Sequence, residues 1–271
     1  MRDIVSPIAG VRSPLGERRF VAPFNPVTEL FGSGEDGFLF DLNEPSDGYM
    51  YQDGALTTVC TATSDPIGGI VDRSGNNNDM LQTVNTGFRP TVDAVGGAYF
   101  DGIDDYLAAT IDLTNSANLT VMMLVQYDGS GSTSKYLVNQ NSTNNGSFNY
   151  SVRETGSTRW DAVIKPGSVG MNADTGYDYT SGNTFLLTMI VDETAGTSEN
   201  RVNGVSAASN SGTLTGLAYA NGPIALGARA DGASKWANCR ISAVMIRDAV
   251  TSGTTLADAE TYFGAIGGLT I

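Results

Sequence analysis

The sequence predicts an all-β sandwich with an extended N-terminal arm and a short C-terminal helix. Three observations predict it. Apolar runs of strand length recur between turn-rich stretches; glycine is abundant, at 33 residues, while only 16% of residues are charged; and helical periodicity occurs once, near the end. Short strands joined by many turns need that mix of Gly, Ser, Thr and Asn. With 271 residues, 41% of them hydrophobic, the chain has enough apolar surface for one sizeable core, and it shows no internal repeat or second domain. The expected division is an arm over residues 1–34 and a sandwich over residues 35–271.

The arm carries Pro7, Pro14, Pro23 and Pro26 together with Arg2, Arg12, Arg18 and Arg19. Proline blocks helix and central strand, so the segment reads as extended. Ile4, Val5, Ile8, Val11, Leu15, Phe20, Val21 and Phe24 are spaced through it, which favours docking on another subunit over a solvated tail. Strands follow at 37–41 and 66–72, short apolar runs bounded by turn residues. Residues 99–107 (YFDGIDDYL) form a strand-turn-strand unit in which Phe100 and Tyr106 face a core and three acids crowd the turn. Residues 119–127 (LTVMMLVQY) are almost continuously apolar, the pattern of a strand buried on both faces. Residues 185–192 and 241–248 read the same way. Asn203-Gly204 is a type I′ hairpin turn, because both residues tolerate positive φ. The helix is expected from a cap at Thr254 or Thr255, with Leu256, Ala259, Tyr262 and Phe263 on one face and Gly264 or Gly267 ending it.

Composition excludes whole classes of function. The formal net charge of −14 repels phosphate backbones and anionic membranes, which argues against nucleic-acid binding and favours a solvated acidic surface or divalent cations. There is no histidine, which removes Ser-His-Asp and Cys-His nucleophile systems and histidine-based metal sites. The two cysteines, Cys60 and Cys239, lack CxxC spacing; two buried thiols are expected, with a disulfide as the alternative. The first residues, Met1-Arg2-Asp3-Ile4-Val5-Ser6-Pro7, lack the apolar core of a signal peptide, and no apolar run reaches the ~20 residues of a membrane span. Assembly in a cytoplasm, without membrane insertion, is the expectation.

Four segments, in this order, carry a family resemblance. They are Asp72-Arg73-Ser74-Gly75-Asn76-Asn77-Asn78-Asp79, the FDGIDDY stretch over 100–106, Asp192-Glu193 leading to Val202-Asn203-Gly204, and Ile224-Ala225-Leu226-Gly227 followed by 239–246. The set, spanning about residues 66–250, resembles the concanavalin A-like jelly-roll domains of the laminin-G type. Arg201 stands where that pattern usually has an aromatic. The resemblance implies a two-sheet jelly roll, a binding module, and in some members calcium near such loops.

Asp72, Asn76, Asp101, Asp104 and Asp105 are hard oxygen ligands suited to calcium, alongside Asn78 and Asp79, though without the spacing of a twelve-residue EF-hand loop; Asx-turns and caps are the competing use of the same residues. Glycoside hydrolysis needs two carboxylates on one strand face. Asp192 and Glu193 are adjacent and so face opposite ways, and Glu154 is isolated, so no catalytic residue is assigned. Carbohydrate binding favours aromatic platforms beside amides and carboxylates, which singles out Trp160, Trp236, Tyr177 and Tyr179, with Tyr136 and Tyr150 behind them. Arg159-Trp160-Asp161 and Lys235-Trp236-Ala237-Asn238 each set a ring beside polar groups.

Residues 1–90 carry a second resemblance. The stretch from Gly34-Glu35-Asp36-Gly37 through Tyr51-Gln52-Asp53 and Asp72-Arg73-Ser74-Gly75 to Arg89-Pro90 is similar to a segment of structural proteins of tailed phages, and Ser6-Pro7-Ile8-Ala9-Gly10 resembles their arms. This implies a virion protein, of the tail fibre, spike or head decoration type, whose arm docks on other virion proteins and whose domain binds a host surface carbohydrate. Further copies of the chain are expected partners. A glycan depolymerase and a ligand-free capsid cement protein are the alternatives.

Overall fold

The computed structural model describes residues 23–114, 118–129, 133–140, 147–153, 159–165, 171–178, 180–211, 219 and 221–271. The chain enters through helix α1 (Pro26–Phe31) and continues as β1 (Gly37–Asp41), β2 (Met50–Tyr51), β3 (Gly69–Ile70), β4 (Met80–Leu81), β5 (Thr91–Val92), β6 (Ala98–Asp101) and β7 (Leu107–Asp112). It goes on through β8 (Leu119–Tyr127), β9 (Lys135–Gln140), β10 (Ser147–Arg153), β11 (Arg159–Lys165), β12 (Met171–Asp178), β13 (Thr184–Asp192), β14 (Thr197–Val202), β15 (Val205–Ser211), β16 (Asn221–Leu226) and β17 (Asn238–Arg247). Helix α2 (Gly253–Ile266) follows.

The strands form two antiparallel sheets. One has the order β15-β14-β13-β8-β17-β6-β5, with β1 also paired to β17; the other runs β12-β11-β10-β9-β16-β7-β4-β3-β2. Non-consecutive neighbours such as β8-β17-β6 are the crossovers of a jelly roll. The sheets meet along both sides: the β12 backbone runs beside β15, and Pro66 bridges to Thr91 of β5. Edge strands that abut the opposite sheet leave little ladder open to another chain.

The main core lies between the sheets. Phe38, Phe40, Phe100, Phe148, Trp160 and Tyr127 fill it with the inward residues of β8, β13 and β17. A second apolar layer covers the outer face of the first sheet: Leu39, Met122, Leu124, Leu186, Ala243 and Met245 lie under Leu30 and Phe31 of α1 and Ala259 and Phe263 of α2. This explains the unbroken apolar run of β8. Its even and odd residues face two different cores.

Part of the segment expected as an arm packs on the sandwich. Pro26 opens a helix instead of blocking one, because the first helical position needs no N–H donor; the Asn25 side chain caps it by accepting from the N–H of Val27 at 3.0 Å. Phe24 packs on Tyr262, their ring centroids 5.9 Å apart. Residues 24–31 thus belong to the domain, and residues 1–22 lie outside the described residues. The α2 cap is Ser252, not Thr254 or Thr255, and Gly267 ends the helix. Cys60 and Cys239 are both free and buried; burial pushes the Cys60 thiol up to about 12 and the Cys239 thiol up as well.

The departure at Arg201 has a structural reason. Asn203 (φ 50°) and Gly204 (φ 75°) form the expected hairpin turn, and Arg201 beside it reaches across to α2. Its Nε and Nη2 donate to the two oxygens of Glu260 at 2.9 and 3.0 Å, and Nη1 donates to Glu199 at 2.9 Å. Glu260 is buried. These bonds hold the Arg201 guanidinium more firmly protonated than usual, and they pin the helix to the sheet.

Candidate functional site

The acidic turn is built from the strand ends upward. Phe100 is fully buried and anchors the end of β6. Asp101 Oδ1 accepts from the N–H of Ile103 at 2.8 Å, closing an Asx-turn, and Asp105 Oδ2 accepts from the N–H of Asp101 at 2.9 Å. One carboxylate oxygen from each of Asp101, Asp104 and Asp105 comes within 4.8 Å of the others. Burial pushes the Asp105 carboxyl up to about 6; the Asp101 N–H bond opposes this, and the Asp101 and Asp104 charges add to it.

That shift has a sign. The folded-state pKa lies above the unfolded one, so the folded protein binds the extra proton between pH ~4 and ~6. The contribution to stability is present below the unfolded pKa and is lost as pH rises through about 6. Replacing the carboxyl by an amide, Asp105→Asn, is expected to raise the thermal midpoint at pH 7.5 in EDTA and to flatten its decline between pH ~4 and ~6, measured by calorimetry. An unchanged pH profile would refute this account.

Asp72 and Asn76 do not join that turn. Asp72 is buried, and its oxygens accept from the N–H of Leu39 (2.9 Å), Ser74 (2.8 Å) and Asn78 (3.0 Å) and from the Ser74 hydroxyl (2.7 Å). Asn76 Nδ2 donates to the carbonyls of Glu35 and Gly37, and Asn78 Nδ2 also donates to Gly37. Asp79 accepts from the Asp72 N–H at 2.8 Å. A carboxylate already taken by four donors is a poor metal ligand. The Ser-Gly-Asn-rich turn between β3 and β4 is instead a clasp that ties one sheet to β1 of the other. The calcium expectation for Asp72 and Asn76 is corrected on that ground.

Next to the acidic turn an open cleft of about 220 Å³ lies over the ends of three neighbouring strands. Asp101 ends β6 and pairs with Asn238 at the start of β17; Cys239 pairs with Tyr127 at the end of β8. Trp236, Asp128 and Lys135 complete the lining. Trp236 is half-buried, and its ring is oriented by Nε1 donating to the Gly232 carbonyl at 3.2 Å. Asn238 Oδ1 accepts from the Tyr99 hydroxyl at 3.0 Å. Asp128 accepts from Gln126 Nε2 at 3.1 Å and from the Gly182 N–H at 3.0 Å. The Trp236 indole, an amide, two carboxylates and an ammonium thus converge on one opening, with the buried Tyr127 at its base.

The expected aromatic platforms separate. Trp236 lies at the cleft. Trp160 does not: it is fully buried between the sheets, edge-on to Tyr127 and Phe185. It packs the core and offers no face to a sugar, so its assignment is corrected. Tyr150 is likewise buried, with its hydroxyl donating to the Thr188 carbonyl. Tyr179 and the side chain of Tyr177 lie outside the described residues. Asp192 and Glu193 sit at the far end of the sheet: Val191 pairs with Leu119 at the start of β8, while the cleft lies at its finish. Asp128 and Lys135 are cleft residues that motif reading misses. Their signal is Tyr127-Asp128-Gly129, which repeats the aromatic-Asp-Gly order of Phe100-Asp101-Gly102 at a second strand end.

A family model described as the concanavalin A-like lectin/glucanases superfamily matches residues 101–257, over half of the chain. No curated protein matches it in sequence. Among solved structures, the binding domain of Paraclostridial Mosquitocidal Protein 1 is 15% identical with a TM-score of 0.56, covering 77% of this chain and 54% of that one. A botulinum neurotoxin type C structure, whose cell entry is described as dependent on two ganglioside molecules, is 13% identical with a TM-score of 0.51, over 73% and 48% of the two chains. Trypanosoma rangeli sialidase is 12% identical with a TM-score of 0.54, over 77% and 32%. The chain spans about half the length of the two toxin chains and a third of the sialidase. At these identities the likeness is one of fold.

Proposed function

The chain belongs to the concanavalin A-like lectin/glucanases superfamily, and from that premise we propose that it is a non-enzymatic, lectin-like module that takes surface carbohydrate in the cleft at Trp236. The observation that carries the reading is the convergence of an oriented half-buried indole with Asn238, Asp101, Asp128 and Lys135 on one opening. A sugar ring presents an apolar face to the indole and hydroxyls to the amide and carboxylates. Trp236→Ala is expected to weaken glycan binding roughly 30-fold or more, the ~2 kcal/mol of a buried aromatic anchor, on a glycan array with the thermal midpoint unchanged within a few degrees. Equal array signals for wild type and variant would remove the cleft from consideration.

The second reading, a glycan-degrading enzyme, rests on the raised Asp105 carboxyl beside Asp101, a carboxylic acid held next to a carboxylate. Against it, Asp105 is buried and does not line the cleft. Release of reducing ends from a bound polysaccharide, lost in Asp105→Asn, would favour the enzyme.

Calcium belongs to the same proposal. Asp101, Asp104 and Asp105 offer only oxygen donors, close together and partly open to water, a set that fits a hard divalent cation. Such an ion would order the turn that forms one wall of the cleft. The module's setting in a tailed-phage-like virion, assembled in a host cytoplasm, is supported by the resemblance of residues 1–90. Deleting residues 1–22, which spares the packed α1, is expected to abolish incorporation into particles while leaving the domain folded. Normal incorporation would contradict a docking arm.

A further inference from the structure

A second cleft, of about 340 Å³, is lined by Leu81, Gln82, Thr83, Val84, Tyr106 and Asp231, among others. One loop forms a wall of both. Residues 230 and 231 line the second cleft and Trp236 the first, and Gly232 stands between them. The Gly232 carbonyl accepts from Trp236 Nε1. Its α-carbon presses on the Tyr106 ring, where an added Cβ would come within 2.4 Å of Cζ, and its φ is +65°. Trp236 and Tyr106 are thereby both held against a single residue.

The second cleft has the make-up of a sugar subsite. The Tyr106 ring and Val84, 77% exposed, supply apolar surface. Gln82 is fully buried and shapes the rim: Nε2 donates to the Tyr106 carbonyl at 3.2 Å, and Oε1 accepts from the N–H of Val84 at 3.0 Å. Asp231 is paired with Arg229 and accepts from the Ala233 N–H at 3.0 Å, so the only carboxylate here is already neutralised. The first cleft holds two carboxylates against one ammonium. Neither lining suits an anionic sugar, and an aromatic beside neutral polar groups suits an uncharged one.

Resting on the carbohydrate reading of the first cleft, we infer that the two clefts are adjacent subsites for one neutral oligosaccharide, which passes over the Gly232 loop from Trp236 to Tyr106. Affinity then rises with chain length, because the second subsite adds contact without a second association cost.

The test uses the full chain and an array of neutral glucose, galactose, mannose and N-acetylglucosamine oligomers, graded from monosaccharide to roughly octasaccharide. Val84→Arg fills the second cleft from a largely exposed position, and circular dichroism checks its fold. The expected result is tighter wild-type binding to longer oligomers, with Val84→Arg weakening the long ones about tenfold, down to the level of the short ones, which stay unchanged. Length-independent binding that Val84→Arg does not alter overturns the second subsite and leaves the Trp236 cleft standing. Equal weakening of short and long oligomers also overturns it. Absence of binding to any oligomer by either protein overturns both readings.

Discussion

Asp72→Ala is expected to cost about 3–5 kcal/mol of stability, read from denaturant unfolding midpoints. Four donors converge on this carboxylate: three backbone N–H groups, of Leu39, Ser74 and Asn78, and the Ser74 hydroxyl. Truncation leaves them without an acceptor in a buried place, and each buried orphan donor costs about 1–3 kcal/mol, part of which water entering the gap restores. The Leu39 bond also crosses between sheets, so its loss frees the entry of β1. Asp72→Asn keeps one acceptor oxygen but sets an NH2 against a donor; about half the loss is expected. If the site were a calcium ligand set, the loss from Asp72→Ala would depend on added calcium. The clasp predicts a loss of the same size in calcium and in EDTA, and a loss below ~1 kcal/mol would defeat it.

Arg201→Met is expected to cost a similar amount, about 3–5 kcal/mol, because it strands the buried Glu260 carboxylate under α2. The prediction separates a stranded charge from lost packing. The double variant Arg201→Met with Glu260→Leu removes both charges, and it should regain most of the stability, since a buried pair is often replaceable by apolar groups of similar volume. A double variant as unstable as the single one would mean that the cost lies in packing at the hairpin, not in the unpaired carboxylate. The loss should also loosen the outer apolar layer, where Phe263 and Ala259 cover Met122 and Leu124, and faster hydrogen exchange in α2 would report it.

The residues that made the fold legible are those whose local chemistry admits one arrangement. Asn203-Gly204 allows little besides a tight hairpin, and the apolar runs of β8, β13 and β17 allow little besides buried strands. The acidic turn at 101–105 was legible as a turn for the same reason. The site was only half legible. Trp160 and Trp236 have near-identical local surroundings in sequence, each a ring between a basic residue and a small or acidic one. One is core and the other lines a cleft, because β11 runs through the interior while Trp236 sits in the loop before β17. Local sequence does not encode that difference.

By itself the sequence determined the class of fold, the absence of histidine chemistry and the acidic balance of charge, while the free state of the two thiols came from the structure. The first three depend on composition and on short-range pattern, which survive without knowledge of who neighbours whom. Tertiary structure alone decided which oxygens are spent and which are open. Asp72 and Asp101 both follow apolar strand ends, yet the first is consumed by four donors from β1 and its own turn, while the second stands at a cleft with Asp128 and Trp236. It also decided that α1 belongs to the domain, since Leu30 and Phe31 gain a buried surface only when α2 and the outer face of the sheet come together. The physical reason is the same in each case: a side chain's role depends on its solvent and its partners, and in a sandwich of crossed-over strands both come from residues far away in the chain.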